Sequence, residues 1–410
     1  MPFSTRFQEK DLRLVAATSN GDPIPRPLSL HVRFPRRAEL PGPAAPRARS
    51  AAYLTRLYRE IALVAALFDR DRQVEQVYFL GPTLGFLDPP QVVEVMDVLG
   101  RHFSFSQGGR TARGIQLDPA SDIDDDIAQL PEAGFDRAML ICEDRARIGA
   151  AIARLPALVH SCRRFGLKQV QVDLCCDLPE RSEAELAQAL EAILLARPDR
   201  VRIVGCSRLE PGVNEDACIE RLRCALDRLQ QAGYSHLGMY CFVLPGDELL
   251  RARRCGELHC DPMGYTAHAE SDVVGVGLGA VSHIGASISH GLRDLSGWEE
   301  SIDRGRLPIR GGIQLDEDRQ LCAEVVQQLL CRGGIDFREI SRAHGVDFRK
   351  RFAEALERLE PLATRRLVEL TPERIHVTMR GRLALPALVA CFDGKPAVAA
   401  GLRQLSVYAP

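Results

Sequence analysis

The chain has 410 residues, 46% of them hydrophobic and 26% charged, with a formal net charge of −2: the composition of a globular protein with a sizeable core. That balance excludes a chain-wide nucleic-acid binder, and no apolar run is long enough to span a bilayer. Thirteen cysteines, odd in number and irregularly spaced, exclude a regular disulfide framework. They point to reduced thiols buried as small hydrophobes in a cytoplasmic protein, and the first ten residues lack a signal-peptide core.

Residues 1–26 are polar and turn-rich and are expected to form a short N-terminal arm. Leu28, Leu30, Val32 and Phe34 then alternate with Ser29, His31 and Arg33, which predicts a strand. Leu54, Leu57, Ile61, Val64 and Phe68 recur at helical spacing, with Ser50 as the expected N-cap. A strand is predicted near Glu75–Leu80. Apolar runs at 138–142, 170–175, 201–204 and 236–243 predict more strands, and helical patterns at Glu183–Ala196 and Glu215–Ala232 fall between them. Strands alternating with helices predict an α/β fold with a parallel sheet. The pattern leaves a barrel and an open doubly wound sheet as alternatives. From about residue 291 it changes: three helices, at Asp316–Cys331, Phe337–His344 and Arg349–Leu359, precede two strand-like runs, R-R-L-V-E-L and I-H-V-T-M. This order predicts a mainly helical, winged-helix-like domain over 291–410. Its charge is mixed, with Glu354, Glu357, Glu360, Glu369 and Glu373 among the arginines, so a packing or lid role is expected instead of DNA contact.

Pro27 to Pro35 read P-L-S-L-H-V-R-F-P. This resembles the opening strand of the oxygen-independent coproporphyrinogen III oxidases, radical S-adenosylmethionine (SAM) enzymes whose strand reads P-L-S-L-Y-V-H-I-P before C-x3-C-x2-C. Further ordered matches run to about Asp393: Q-A-G-Y-S-H-L-G-M-Y-C-F (231–242), D-E-L (247–249), G-x-L-H (256–259), G-Y-T (264–266), G-V-G-L-G-A-V-S (275–282) and I-H-V-T-M-R-G-R (375–382). The resemblance implies a partial (β/α)6 barrel over 27–290. It also implies the cofactors of the related enzymes, a [4Fe–4S] cluster and SAM. Yet the three cysteine positions align to Arg37, Pro41 and Ala44, and no cysteine lies in the first 141 residues. A guanidinium stays protonated and offers no lone pair, and Pro and Ala side chains carry no donor. Thiolates hold such clusters.

The implied SAM pocket has changed as well. The family's G-G-G-T-P aligns to Leu80-Gly81-Pro82-Thr83-Leu84, keeping one of three glycines and Thr83. Its glutamate becomes Gln116, its glutamine Glu143, and the strand residues ahead of the cluster become His31 and Arg33. Asp173 survives where the family aspartate binds ribose hydroxyls, and the following glycine is Asp177. Arg154 is the candidate for a displaced carboxylate-binding arginine. Cofactor contacts are therefore expected, if anywhere, at Gly81, Thr83, Gln116, Glu143 and Asp173.

Among the remaining constellations, C-G-E-L-H-C (255–260) places Cys255, His259 and Cys260 as an alternative zinc or haem ligand set, against incidental thiols. Cys175 and Cys176 end a strand and read as an inert pair. Asp122, Asp124, Asp125 and Asp126 read as a solvated run, and His283 and His290 as structural histidines. G-x-G-x-G at 275–279 lacks the spacing of a dinucleotide fingerprint. The expectation is a non-catalytic paralogue with no cofactor of its own, which carries, binds or senses a tetrapyrrole such as haem or a porphyrin. Arg33, Arg36 and Arg37 would pair with its propionates. The alternatives are an active oxidase with an unusual cluster site, and a partner subunit in complex with an active haem-biosynthesis enzyme.

Overall fold

The computed structural model describes residues 7–40, 47–106, 111–142, 144, 146–175, 183–204, 215–261, 263–268 and 271–392. The N-terminal arm contains a helix, α1 (Glu9–Asn20), in place of the expected turns. Its Leu12, Val15 and Ala16 are buried, so an amphipathic stripe hidden among polar residues decides its state.

The barrel follows as strand and helix in turn. β1 (Leu28–Arg33) leads to α2 (Arg47–Ala65), and β2 (Gln73–Leu80) to the short α3 (Thr83–Phe86) and to α4 (Pro89–His102). After the two-residue β3 (Ser104–Phe105) come β4 (Ala112–Leu117), the single turn α5 (Asp124–Ile127), β5 (Arg137–Cys142) and α6 (Ile148–Arg164). Then come β6 (Gln169–Cys175), α7 (Glu183–Ala196), β7 (Arg200–Val204) and α8 (Glu215–Gln231). α2 begins before Ser50, so that serine sits inside the first turns and is not the cap.

The run 236–243, expected as one strand, is a hairpin of β8 (Ser235–Gly238) and β9 (Cys241–Val243). Met239 and Tyr240 turn it with φ of 43° and 56°, the left-handed pair that a tight hairpin demands. α9 (Glu248–Cys255), β10 (His259–Asp261) and β11 (Gly264–Thr266) lead to β12 (Asp272–Gly277), β13 (Val281–Ile284), β14 (Ser287–Gly291), α10 (Leu295–Asp303) and β15 (Ile309–Gln314).

Among the described residues, thirteen strands form one sheet, ordered β15-β14-β13-β12-β1-β2-β4-β5-β6-β7-β9-β8 with β3 beside β2. The strands from β12 through β7 along that order run parallel. The sheet is therefore an open, partial (β/α)6 barrel, as the resemblance implied. Leu28, Leu30, Val32 and Phe34 join the large core beneath the helices, and Phe34 packs on Phe79 and Phe86. Ser29, His31 and Arg33 alternate onto the inner face.

Trp298, Ile302 and Leu307 belong to the barrel core, and β14 and β15 to its sheet. The barrel's sheet and core thus extend to Gln314, past residue 290, where the C-terminal domain was expected to begin. Beyond Gln314 lie α11 (Glu317–Arg332), β16 (Gly334–Asp336), α12 (Phe337–His344), α13 (Phe348–Arg351), α14 (Ala353–Thr364), β17 (Val368–Leu370), β18 (Arg374–Val377) and α15 (Leu385–Phe392). The three strands pair as β16-β18-β17 beside the helices, a winged-helix-like arrangement. A second core joins this domain to Leu237, Cys241 and Val243 of the barrel.

Candidate functional site

β1 carries Arg33 to the carboxyl edge of the sheet, between Leu80 of β2 and Gly277 of β12. Its guanidinium lies 2.6 Å from Glu39 and also donates to the carbonyl of Leu278. Glu39 in addition accepts the Arg36 N–H at 2.8 Å, which closes a 3-10 turn over Arg37–Glu39. The three arginines expected to face propionates thus do not converge. Arg33 is neutralised within the chain, Arg36 is half-buried beside the same acid, and Arg37 is exposed. Glu39 escaped the sequence reading, although it is the single acid in the arginine-rich stretch 36–49. Pro41 and Ala44 lie outside the described residues.

Behind this edge sits a buried polar layer. The Tyr53 hydroxyl donates to the Arg33 carbonyl at 2.7 Å and accepts the Leu278 N–H at 3.0 Å. Glu60 accepts the Gly277 N–H at 2.9 Å and the Trp298 indole N–H at 3.0 Å. Burial pushes the Glu60 carboxyl up to about 7, against the pull of both hydrogen bonds. Gly277 has no room for a side chain, since a Cβ would sit 2.2 Å from the Arg33 carbonyl oxygen. The glycines of 275–279 thus serve strand closure.

The positions implied for SAM are engaged internally. Gln116 is buried, and its side-chain oxygen accepts the Gly81 N–H. Gly81 has φ +95°, and a Cβ there would meet the Phe34 carbonyl oxygen at 2.5 Å, so β1–β2 packing alone demands glycine. Thr83 is buried, and its hydroxyl donates back to the Gly81 carbonyl at 3.2 Å. Asp173 is 2% exposed in its side chain, ion-paired with Arg202 of β7, and accepts Gln171 at 2.7 Å. Arg202 also donates to the Met263 carbonyl. The sequence signal for Arg202 was a charge alternating with Val201 and Ile203 in a buried strand. Arg154 holds the carbonyls of Pro119 and Ser121 and pairs with Asp124, so it braces the loop after β4. Asp124 is exposed like Asp122 and Asp125, and within that acidic run it carries this ion pair. Glu143, Cys176 and Asp177 lie outside the described residues.

Deeper on the inner face, His31 is fully buried, with Nε2 3.2 Å from the Ser29 hydroxyl and its ring edge-on to Tyr78. Burial lowers its pKa to about 3, so the imidazole is neutral. At the amino end of the strands, Arg137 and Arg200 bracket Glu248, and Arg200 also pairs with Asp247 at 2.8 Å. Burial pushes Glu248 up, but the two guanidiniums outweigh it and hold the carboxyl at about 2.

The ligand set Cys255, His259 and Cys260 does not assemble. Cys255 is exposed, Cys260 is buried in the second core, and adjacent residues of β10 face opposite sides. Among the described residues, no three His, Cys, Asp or Glu side chains are placed to hold a metal ion. His283 and His290 lie within the ladder of β13 and β14.

A model of the HemN C-terminal domain matches residues 315–384. The chain is 32% identical to an oxygen-independent coproporphyrinogen III oxidase of Pseudomonas aeruginosa over 393 residues, covering 90% of this chain and 85% of the relative. It belongs to the oxygen-independent coproporphyrinogen III oxidase family. The family enzyme of Salmonella typhimurium is 30% identical, with 86% and 81% covered. The structure of coproporphyrinogen III oxidase from Escherichia coli, described as a radical SAM enzyme, superposes with a TM-score of 0.84 at 27% identity and 96% of both chains. Those names favour the oxidase alternative over a non-catalytic paralogue, and they do not bear out the expectation of no cofactor. The donor set speaks the other way. Arg37, Pro41 and Ala44 offer no electron pair to iron, so the residues at the aligned positions do not fit the family's cluster. Among the described residues, no helix is long and apolar enough to cross a membrane.

Proposed function

We propose that this chain is a coproporphyrinogen III oxidase-like protein without radical SAM activity, which binds a tetrapyrrole as a carrier or regulator. The observation that carries this reading is the donor set: Arg37, Pro41 and Ala44 stand at the cluster positions, and the chain has no cysteine before Cys142. Two internal engagements support it. Asp173 is neutralised by Arg202, and Gln116 is spent on the Gly81 N–H, so the two side chains best placed for a nucleoside and an ammonium already have partners.

A second reading is an active oxidase with a rebuilt cluster site. It rests on the similarity to curated oxidases along nearly the whole chain, and that similarity favours it over the first. Electron paramagnetic resonance of the anaerobically reconstituted, dithionite-reduced chain separates the two. The first reading expects no stoichiometric [4Fe–4S]⁺ signal that responds to SAM, together with saturable quenching on titration with coproporphyrin III. A cluster signal that shifts with SAM, with conversion of coproporphyrinogen III to protoporphyrinogen IX, establishes the oxidase instead. Absence of both a cluster and porphyrin binding sinks the tetrapyrrole reading.

A further inference from the structure

Where the barrel meets the C-terminal domain, two guanidinium groups share one acceptor. Arg253, in the last turn of α9, and Arg382, in the 3-10 turn Gly381–Ala384, each reach the main-chain oxygen of His236 on β8 at 3.4 Å. That is the long limit of a hydrogen bond. Among the described residues, neither side chain has another hydrogen-bond or ion-pair partner. Each guanidinium carries five N–H donors, so most of them lack an acceptor among the described residues. Both arginines are half-buried. His236 is only 5% exposed, stacks on Phe242, and its Nε2 has no hydrogen-bond partner.

The charge at this seam is one-sided. Burial, then Arg382 and Arg253, hold the His236 imidazole down at about 4, so it is neutral and offers either a donor or an acceptor. Burial and then the neighbouring Arg253 lower the pKa of Arg382. Arg382 lies beside the C-terminal end of α11 at Gly333, a site of partial negative charge. A helix end supplies roughly half a unit charge. Arg332, in the last turn of the same helix, adds a further positive charge, which is paired with Glu339 at 2.7 Å. Half a charge does not balance two guanidiniums withdrawn from water.

We propose that Arg253, Arg382 and His236 form a binding site for one oxyanion, a carboxylate or a phosphate group, at the seam between barrel and C-terminal domain. Two forked guanidiniums suit the paired oxygens of such a group, and the unpartnered His236 Nε2 lies on the same residue whose main-chain oxygen both arginines reach. The site stands on the opposite side of β9 from the SAM-pocket positions and does not depend on the tetrapyrrole reading. Because its residues come from both domains, occupancy ties the domains together and raises the stability of the whole chain.

The test is calorimetric titration of the full chain at low ionic strength with inorganic phosphate and, separately, with succinate. One-site binding of at least one of them is expected. Arg253→Gln and Arg382→Gln should each weaken it at least tenfold, while Arg304→Gln, at an exposed arginine paired with Glu300, leaves it unchanged. Binding of phosphate alone assigns a phosphate-bearing ligand, and binding of succinate alone a carboxylate-bearing one. Heat from neither anion, or undiminished affinity in both glutamine variants, overturns the site. If the glutamine variants fail to fold, Arg253→Lys and Arg382→Lys carry the test. They keep the charge and lose the fork, and are expected to bind severalfold more weakly; unchanged affinity there also overturns the proposal.

Discussion

Glu60 shows how much a single buried carboxyl weighs on this fold. An unfolded glutamate titrates near 4.5, and Glu60 is pushed up to about 7 by burial. Below 4.5 both states hold the proton, and between the two values only the folded state does. Stability therefore falls as pH rises from about 4.5 to about 7 and stays reduced above, by roughly 3 kcal/mol from this group. Glu60→Gln keeps an oxygen for the Gly277 and Trp298 donors and removes the titration. The variant is expected to match the parent near pH 4.5 and to exceed it by up to about 3 kcal/mol at pH 8, read by urea unfolding across that range. An unchanged pH profile in the variant would mean that Glu60 is not the group responsible. Nothing in the local sequence marked this residue, because its partners come from β12 and α10, more than two hundred positions away. Residues whose role comes from their own strand, such as the inward-facing His31, were legible from alternation alone.

Elements were legible wherever period and length agreed. The strands expected near 75–80 and at 138–142, 170–175 and 201–204, and the helices at 183–196 and 215–232, fall within a few residues of place, whereas β4, α4, α6 and β12 to β15 were not marked. The failures have physical causes. The run 236–243 reads as one strand because its turn is made by Met239 and Tyr240, whose left-handed backbone carries no sequence signature. α1 was missed because its buried stripe is short. A clasp adds to it: the Arg72 guanidinium reaches Asp272 at 2.6 Å with both side chains buried, and Ser19 of α1 donates to the same carboxylate at 2.8 Å. Asp272 also accepts the Gly285 N–H at 2.9 Å, and Arg72 donates to the Arg26 carbonyl at 2.8 Å. One acid thus fastens α1, β1, β2, β12 and the β13–β14 turn. Asp272→Ala leaves a buried guanidinium without its counter-charge and is expected to cost about 3–5 kcal/mol. Chemical denaturation checks that magnitude. Hydrogen exchange should show α1 opening first, and a loss below about 1 kcal/mol would contradict the clasp.

At the scale of the whole molecule, the chain keeps the family scaffold, and the proposed function rests on side chains at one end of it that differ from those the resemblance implies. The fold was readable because its matches to the family are spread along the whole chain. The site was less readable, since its ion pairs, Arg33 with Glu39 and Arg202 with Asp173, lie outside the motifs that carried the resemblance or join strands that the sequence alone does not pair. A triple variant, Arg37→Cys with Pro41→Cys and Ala44→Cys, tests whether the loss is confined to the thiolates. Reconstitution is expected to give an iron–sulfur signal that stays unchanged on adding SAM, because Gln116 and Asp173 remain engaged. A SAM-induced shift in the triple variant would show that those internal bonds yield to the cofactor. The same sheet also sets a schedule for biosynthesis. β1 is central, yet its partner β12 lies about 240 residues further along the chain. At roughly 5–20 residues per second, one side of β1 waits on the ribosome for tens of seconds with its hydrogen-bonding edge unpaired. Slowed translation or a missing chaperone should therefore penalise the nascent protein far more than its final stability suggests.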